Sequence, residues 1–237
     1  GFRAIKILAV PKTRPLDGIN SLREAETVMS AAREAGGDDM DIMVDFHGRT
    51  TSAMAIQDAQ VLEPFRPLFI EEVVGPEIPA QEMARVTRST TIPVAAGERL
   101  FHRREFLPLL EAGAISVAQP DVCHAGGITE TMRIGALAGT YGVSLAPHNP
   151  LGPIATMVNI HIGFALPNFL IQEVMRNDVP WRDEVVRGAA PIINGVVEPP
   201  LAPGIGIDIE EKFASAHPYV EPEPIQWTQD DGSVAEW

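Results

Sequence analysis

Six short apolar runs recur along the chain, and each ends in an acidic residue or a histidine. The runs are IMVDFH (42–47), LFIEEV (68–73), PVAAGE (93–98), ISVAQPD (115–121), VSLAPH (143–148) and FLIQEV (169–174). The polar residues near their ends are Asp45, Glu71, Glu98, Asp121, His148 and Glu173, at intervals of 26, 27, 23, 27 and 25 residues. One strand, one helix and two loops occupy about this much chain, so the spacing predicts a series of βα units.

The segments between these runs carry the periodicity of helices. In MAIQDAQVLEPF (54–65), Ile56, Ala59 and Leu62 recur near the 3.6-residue period, and residues 127–142 and 152–167 show similar patterns. A seventh apolar run, FRAIKILAV (2–10), precedes the others. Strands that are apolar throughout are typical of a parallel sheet covered by helices, so we predict an α/β fold of the TIM-barrel type. Because such barrels usually have eight strands, we expect the first strand to lie before Gly1.

The composition changes after about residue 176, where Pro- and Gly-rich sequence such as VEPPLAPGIGIDIEEK (197–212) begins. We therefore predict that residues 1–176 form the barrel. Residues 177–237 are predicted to form a C-terminal extension with little regular structure. This extension is expected to pack on the barrel and to belong to the same domain.

The charge balance narrows the range of partners. The 18 basic and 32 acidic residues give a formal charge of −14, which argues against nucleic acid or an anionic membrane as a partner. Cys123 is the single cysteine, so no internal disulfide forms, and this suits a reducing compartment. We expect a cytoplasmic protein, because no run resembles a membrane span or a signal peptide. We also expect it to form a homo-oligomer.

The polar strand ends predict a functional rim. Taken alone, the stretch DFHGR (45–49) favours a solvated strand end followed by a turn. In a barrel of parallel strands, however, all six polar ends meet at the C-terminal face, where active sites are built. The carboxylates of Asp45, Glu71 and Glu98 come from three consecutive strands and would repel one another. A hard divalent cation such as Mg²⁺ removes this conflict, because it prefers oxygen ligands. In the doublet Glu71-Glu72 only one side chain can face the barrel interior.

Several ordered motifs carry a resemblance to a known family. They are VDFHGR (44–49), PLFIEE (67–72), PVAAGER (93–99), QPDVCHAGGITE (119–130), LAPHNPLGPIA (145–155), LIQE (170–173) and DGSVAEW (231–237). On these motifs the chain resembles the mandelate racemase group of the enolase superfamily, and most closely its acid-sugar dehydratases of the D-galactonate dehydratase kind. The resemblance implies a (β/α)7β barrel, with a capping domain before the barrel that residues 1–237 do not contain.

The resemblance also implies a role for each rim residue. It makes the three consecutive carboxylates the Mg²⁺ ligands, His148 the base and Asp121 the group that orients it. His47 is implied as the general acid, and Glu173 as a contact of the substrate carboxylate. Further substrate contacts are expected from Arg49, Asn149 and His124. Lys6 lies where many relatives place a catalytic lysine, but the galactonate-like branch uses the histidine pair.

The implied activity is a magnesium-dependent hydro-lyase acting on a small aldonate. The base removes the C2 proton, the 3-hydroxyl leaves as water, and a 2-keto-3-deoxy acid results. Two alternatives stay open. A racemase or epimerase of the same superfamily would use His47 at C2 instead of C3. A barrel without its cap would be non-catalytic, although a scaffold has no physical need for this set of side chains.

Overall fold

A computed structural model describes residues 1–176, 178–221, 228, 229 and 231–233 of the chain. Its main feature is a six-stranded parallel sheet in which each strand pairs with the next along the sequence. The strands are β1 (Ala4–Ile7), β2 (Asp41–Asp45), β3 (Phe69–Glu71), β4 (Val94–Ala96), β5 (Val117–Ala118) and β6 (Ser144–Leu145). This sequential parallel order confirms the α/β barrel architecture predicted from the repeated apolar runs.

Helices follow the strands of this sheet. They are α1 (Ile19–Gly36), α2 (Ser52–Leu62), α3 (Ala80–Thr87), α4 (Arg103–Glu111), α5 (Gly127–Thr140) and α6 (Pro153–Ala165). Local signals explain several boundaries. Thr51 caps α2 by accepting a hydrogen bond from the Met54 amide, and Pro153 occupies the first turn of α6, where no amide donor is needed. The three helices expected over 54–65, 127–142 and 152–167 are therefore present.

The strand residues alternate between two environments. Ile42, Val44, Ile70 and Val94 are buried in the main core together with apolar side chains of the helices. The opposite faces of the strands contribute a small interior layer made of Met43, Phe69, Ala95, Val117 and Ala146. Because side chains two residues apart share a face, the residues that follow this layer point toward the C-terminal mouth of the barrel.

The predicted strand over 169–174 is much shorter than expected. Only Phe169 forms a parallel bridge, with Leu145, and hydrogen bonds from the Leu145 and Leu170 amides flank it. Beyond it, the carbonyl of Glu173 accepts hydrogen bonds from the side-chain amides of Asn149 and Gln172. These side chains use the acceptor that a strand partner would use, so the regular ladder ends early.

The first and last segments of the barrel nevertheless meet in its interior. The ammonium of Lys6, on β1, lies 2.7 Å from a carboxylate oxygen of Glu173. The sheet therefore curves until its two ends share an ion pair.

Within its described residues, the C-terminal extension has little regular structure, as predicted. It contains an antiparallel pair, β7 (Val186–Arg187) with β8 (Asp208–Ile209), and the short helix α7 (Glu211–Ala216). Buried Arg182 donates to the carbonyl of Leu151, and the His161 ring contacts the carbonyl of Ile205 at 3.2 Å. The division at residue 176 and the single domain stay predictions.

Residues 234–237, the end of the DGSVAEW motif, lie outside the described residues. Within the described residues, no helix is long and apolar enough to cross a membrane.

Candidate active site

The histidine at the end of β6 is held by the aspartate that follows β5. His148 Nδ1 lies 2.9 Å from Asp121 Oδ2, and the other carboxylate oxygen accepts the amide hydrogen of Cys123. Burial raises the pKa of Asp121, but these hydrogen bonds outweigh it and hold the pKa below its usual value. Burial lowers the pKa of His148, but the hydrogen bond to Asp121 and the charges of Glu98 and Glu173 together outweigh that effect and raise it. Asp121 therefore stays ionised and fixes the orientation of the imidazole.

Three carboxylates come from the neighbouring strands β2, β3 and β4. Asp45 and Glu71 are direct partners in the β2–β3 register, and Glu98 follows β4 by two residues. All three are at least nine-tenths buried. Glu71 accepts from Lys6 at 2.7 Å and from Gln119 at 2.8 Å. Burial raises the pKa of Glu71, and the ammonium of Lys6 opposes that rise.

The ammonium of Lys6 balances part of this negative charge. Its nitrogen lies 2.7 Å from both Glu71 and Glu173. Burial lowers the pKa of Lys6, but the carboxylates outweigh it and raise the pKa above its usual range. A permanent positive charge thus lies among the rim acids.

The donor set at this rim fits a hard divalent cation. Asp45, Glu71 and Glu98 provide only carboxylate oxygens, which are the ligands that Mg²⁺ prefers. Among the described residues, Glu98 Oε2 is buried without a hydrogen-bond partner, and His148 Nε2 lies 3.3 Å from it. Across the described residues, no three acidic, imidazole or thiol groups are already gathered as a metal cluster. Of the three carboxylates, Asp45 instead contacts His47, and Glu71 instead contacts Lys6.

The second histidine of the rim is held in the same way as the first. His47 Nδ1 lies 3.0 Å from Asp45 Oδ2, and the His47 amide donates to the other oxygen of that carboxylate at 2.6 Å. His47 adopts a left-handed backbone conformation with φ of 59°, which is uncommon for a residue with a side chain. The hydrogen bonds to Asp45 hold this strained turn. The imidazole is therefore coupled to the carboxylate, rather than merely sharing its face.

The other expected site residues have distinct surroundings. Glu173 has one oxygen beside Lys6, and its other oxygen accepts the Asn149 amide hydrogen at 2.7 Å. Asn149 is fully buried, and its side-chain nitrogen donates to Thr156 and to the carbonyl of Glu173. These contacts connect Asn149 to the protein, and its expected substrate contact stays a prediction.

Arg49 and His124 lie at the edge of the rim. The Arg49 backbone carbonyl accepts from Thr13, and its guanidinium interacts with the charge of Asp45. The half-exposed ring of His124 lies 4.0 Å from Asp121 Oδ2, with its centroid 6.3 Å from that of the Phe101 ring. The expected substrate contacts of both residues stay predictions.

Three residues of this rim were not predicted as functional. Gln119 bonds Glu71, Arg99 donates to the His47 carbonyl at 2.8 Å, and Glu72 accepts the Gly97 amide hydrogen at 2.7 Å. The signal for Gln119 was its place two residues before Asp121, which puts both side chains on one strand face. Burial raises the pKa of Glu72 to about 7.

Comparison with known proteins identifies the family of this chain. Residues 1–213 match the family described as Enolase C-terminal domain-like. The chain belongs to the enolase superfamily. Within the superfamily it is similar to the D-galactonate dehydratase of Ralstonia nicotianae, with 40% identity over 246 aligned residues. The alignment covers all of this chain and 64% of that relative, so the chain spans less than two thirds of it. The D-galactonate dehydratase of Klebsiella pneumoniae is 39% identical with the same coverage.

Solved structures of the superfamily also match this fold. The mandelate racemase/muconate lactonizing enzyme from Jannaschia sp. CCS1 gives a TM-score of 0.87 at 33% identity, covering 94% of this chain and 58% of that one. The mandelate racemase/muconate lactonizing enzyme-like protein from Roseovarius sp. TM1035 gives 0.86 at 36% identity, covering 93% and 56% respectively. The resemblance read from the motifs is confirmed.

Proposed function

We propose that the protein is a Mg²⁺-dependent aldonate dehydratase of the D-galactonate dehydratase kind. One observation carries this proposal. The rim presents two imidazoles, His148 and His47, and each has its Nδ1 within 3.0 Å of an aspartate oxygen. A dehydration needs two such groups, because one must remove the C2 proton and another must protonate the leaving hydroxyl. The similarity to D-galactonate dehydratases supports the same reaction class.

His148 is assigned as the base. Because its Nδ1 contacts an ionised aspartate, that nitrogen carries the proton and Nε2 is the basic atom. Nε2 lies 3.3 Å from Glu98, so it points into the group of proposed metal ligands. A substrate whose C2 lies near these carboxylates would therefore present its proton to Nε2. Asp121 stabilises the imidazolium that forms once the proton is transferred.

Asp45, Glu71 and Glu98 would hold the Mg²⁺, and the bound ion would stabilise the negative charge that develops on the substrate when the C2 proton is removed. Glu173 is proposed to contact the substrate carboxylate. Two carboxylates repel each other unless a positive charge or a shared proton separates them. Lys6, 2.7 Å from Glu173, supplies that charge. The pair thus presents a positive group as well as an acceptor to the acid end of the substrate.

His47 is assigned as the general acid. It donates a proton to the 3-hydroxyl as the C3–O bond breaks, and the group leaves as water. The electron pair of the former C2–H bond forms the C2–C3 double bond. The resulting enol tautomerises to the 2-keto-3-deoxy acid. Both imidazoles are restored when His148 releases its proton and His47 takes one up.

The experiment is a screen of aldonates with the full 237-residue chain and Mg²⁺. The expected result is formation of a 2-keto acid, measured as the absorbance of its semicarbazone, from a galactonate-type substrate. Addition of EDTA should abolish it, and excess Mg²⁺ should restore it. Product formation that persists in EDTA would contradict the metal assignment. Racemisation of the substrate without keto acid formation would contradict the dehydratase assignment. Assembly into a homo-oligomer stays a prediction that sedimentation can check.

A further inference from the structure

Glu72 is a buried acid beside the proposed metal ligand Glu71. It is 2% exposed, and its side chain accepts from the Gly97 amide, whereas the side chain of Glu71 accepts from Lys6 and Gln119. The backbone of Glu72 is left-handed, with φ of 46°, which is strained for a residue with a side chain. A buried charge-bearing side chain in a strained conformation needs a reason, because an apolar residue would pack there without desolvation.

The carboxylate of Glu72 holds the turn that carries Glu98. Its Oε1 accepts the amide hydrogen of Gly97 at 2.7 Å, and this hydrogen bond is buried. Gly97 has φ of 133°, and a Cβ there would lie 2.4 Å from the Phe106 ring. Only glycine fits, and its amide turns out of the strand ladder toward the Glu72 side chain. Without that carboxylate, the amide hydrogen would be buried without an acceptor.

The backbone of Glu72 holds the turn that carries His47. The Gly48 amide donates to the Glu72 carbonyl at 2.7 Å. Arg99, the residue after Glu98, reaches back and donates to the His47 carbonyl at 2.8 Å. The space a Cβ would fill at Gly48 is only 3.0 Å from the Arg99 guanidinium, so the two groups are in close contact. The turns after β2 and β4 are thus joined through Glu72 and Arg99.

We infer that Glu72 and Arg99 are positioning residues, and together we call them the rim brace. The rim brace fixes the position of the proposed ligand Glu98 relative to the proposed acid His47. Neither residue of the rim brace is assigned a place on the metal or a proton-transfer step. The inference rests on the proposed function, since it concerns residues that the proposed reaction uses. The brace involves the ends of β2, β3 and β4, whereas the His148–Asp121 pair comes from the segments after β5 and β6.

The test measures Mn²⁺ affinity of the full chain by electron paramagnetic resonance, with Mn²⁺ as the spectroscopic probe. Glu72→Leu removes the acceptor for Gly97, so the affinity should fall about 10- to 100-fold, as for other groups that orient metal ligands. Glu72→Gln keeps an oxygen acceptor and should retain wild-type affinity. Asp58→Leu is the matched control, because Asp58 is an equally buried acid in helix α2. It should leave the affinity unchanged.

The second variant tests the other half of the brace. Arg99 is partly exposed, so Arg99→Met should fold. It should lower kcat for dehydration about tenfold or more, through misplacement of His47. Because Arg99 Nε also donates to Glu98 Oε1 at 3.4 Å, exchange of the C2 proton should fall as well, but much less than dehydration. This separation of two steps distinguishes positioning from a general loss of structure.

The outcomes separate this inference from the proposed function. A wild-type chain that binds no Mn²⁺ and forms no keto acid contradicts the proposed function. If wild type binds and Glu72→Leu binds equally well, the brace is refuted while the function stands. If circular dichroism shows that the Glu72→Leu variant is unfolded, the Arg99→Met variant alone tests the brace. Equal loss of dehydration and C2 exchange in Arg99→Met would then refute the brace.

Discussion

Asp121 at the barrel rim and Asp58 in helix α2 are both fully buried, yet the pKa values of their carboxyl groups are shifted in opposite directions. Asp121 accepts hydrogen bonds from His148 and from a backbone amide, and its pKa lies below the usual value. The oxygens of Asp58 accept no hydrogen bond within the described part of the chain, and burial raises its pKa to about 7, with Asp17 adding to the rise. Equal burial thus accompanies a lowered pKa where donors converge and a raised pKa where they do not.

This comparison teaches that burial alone does not mark a functional acid. Both residues would be noted as polar positions inside apolar sequence. What separates them is the direction in which the pKa is shifted. That direction depends on the neighbours that the fold places around each carboxyl group. The rim gathers donors and cations around its carboxylates, whereas the helical layer surrounds Asp58 with apolar groups such as Ala55 and Ala59.

The largest effect is expected from neutralising the rim acid. Asp121→Asn should lower kcat/KM for dehydration by about 10²- to 10⁴-fold, because His148 would lose its orienting charge and preferred tautomer. Asp58→Asn should leave kcat/KM unchanged. Steady-state kinetics of the two variants side by side check the comparison. Loss of activity in both variants, or in neither, would contradict the comparison.

A smaller effect is expected from removing the cation that the rim acids share. Lys6→Met leaves Glu71 and Glu173 without their ammonium, so the free energy of unfolding without Mg²⁺ should fall by about 3 kcal/mol. Added Mg²⁺ should restore more stability to this variant than to wild type, because the ion would replace the lost charge. Urea titrations with EDTA and with Mg²⁺ measure both. Equal Mg²⁺ responses would contradict the proposed ligand set.

The smallest effect is a pH dependence of stability due to Asp58. Its pKa is about 7 in the folded protein against the usual 3.8, so unfolding releases a proton between these values. Stability therefore falls as pH rises from about 4 to 7, and the loss is complete above pH 7. Asp58→Asn should remove most of this pH dependence, so it should stabilise the protein more at pH 8 than at pH 4. Urea midpoints at the two pH values provide the check, and a gain that is equal at both would contradict it.

Much of the rim could be predicted from the sequence, for a physical reason. Parallel strands all end at one face, so Asp45, His148 and the other strand ends had to meet once the βα repeat was recognised. The choice between Glu71 and Glu72 could not be predicted, because strands that are apolar on both faces carry no alternation to show which residue points inward. The backbone conformation of Glu72 determines which of the two side chains points inward. That conformation depends on Gly97, which follows strand β4.

Other features depended on contacts between distant segments. The ion pair of Lys6 with Glu173 joins the first and last segments, and the full burial of Asn149 follows from its bonds to the Glu173 segment. Neither has a local sequence signal. The short pairing at Phe169 was also missed, because an apolar run does not show which of its carbonyls will accept side-chain donors.

The central claim is that the two aspartate-held imidazoles do different work on one substrate. The most direct measurement is exchange of the substrate C2 proton in D₂O, followed by NMR together with keto acid formation, in His148→Asn and His47→Asn. The account predicts neither exchange nor dehydration in His148→Asn, and exchange without dehydration in His47→Asn. Mn²⁺ affinity measured on the same samples controls for the coupling of His47 to Asp45. Wild-type C2 exchange in His148→Asn, or wild-type dehydration in His47→Asn, would contradict the account.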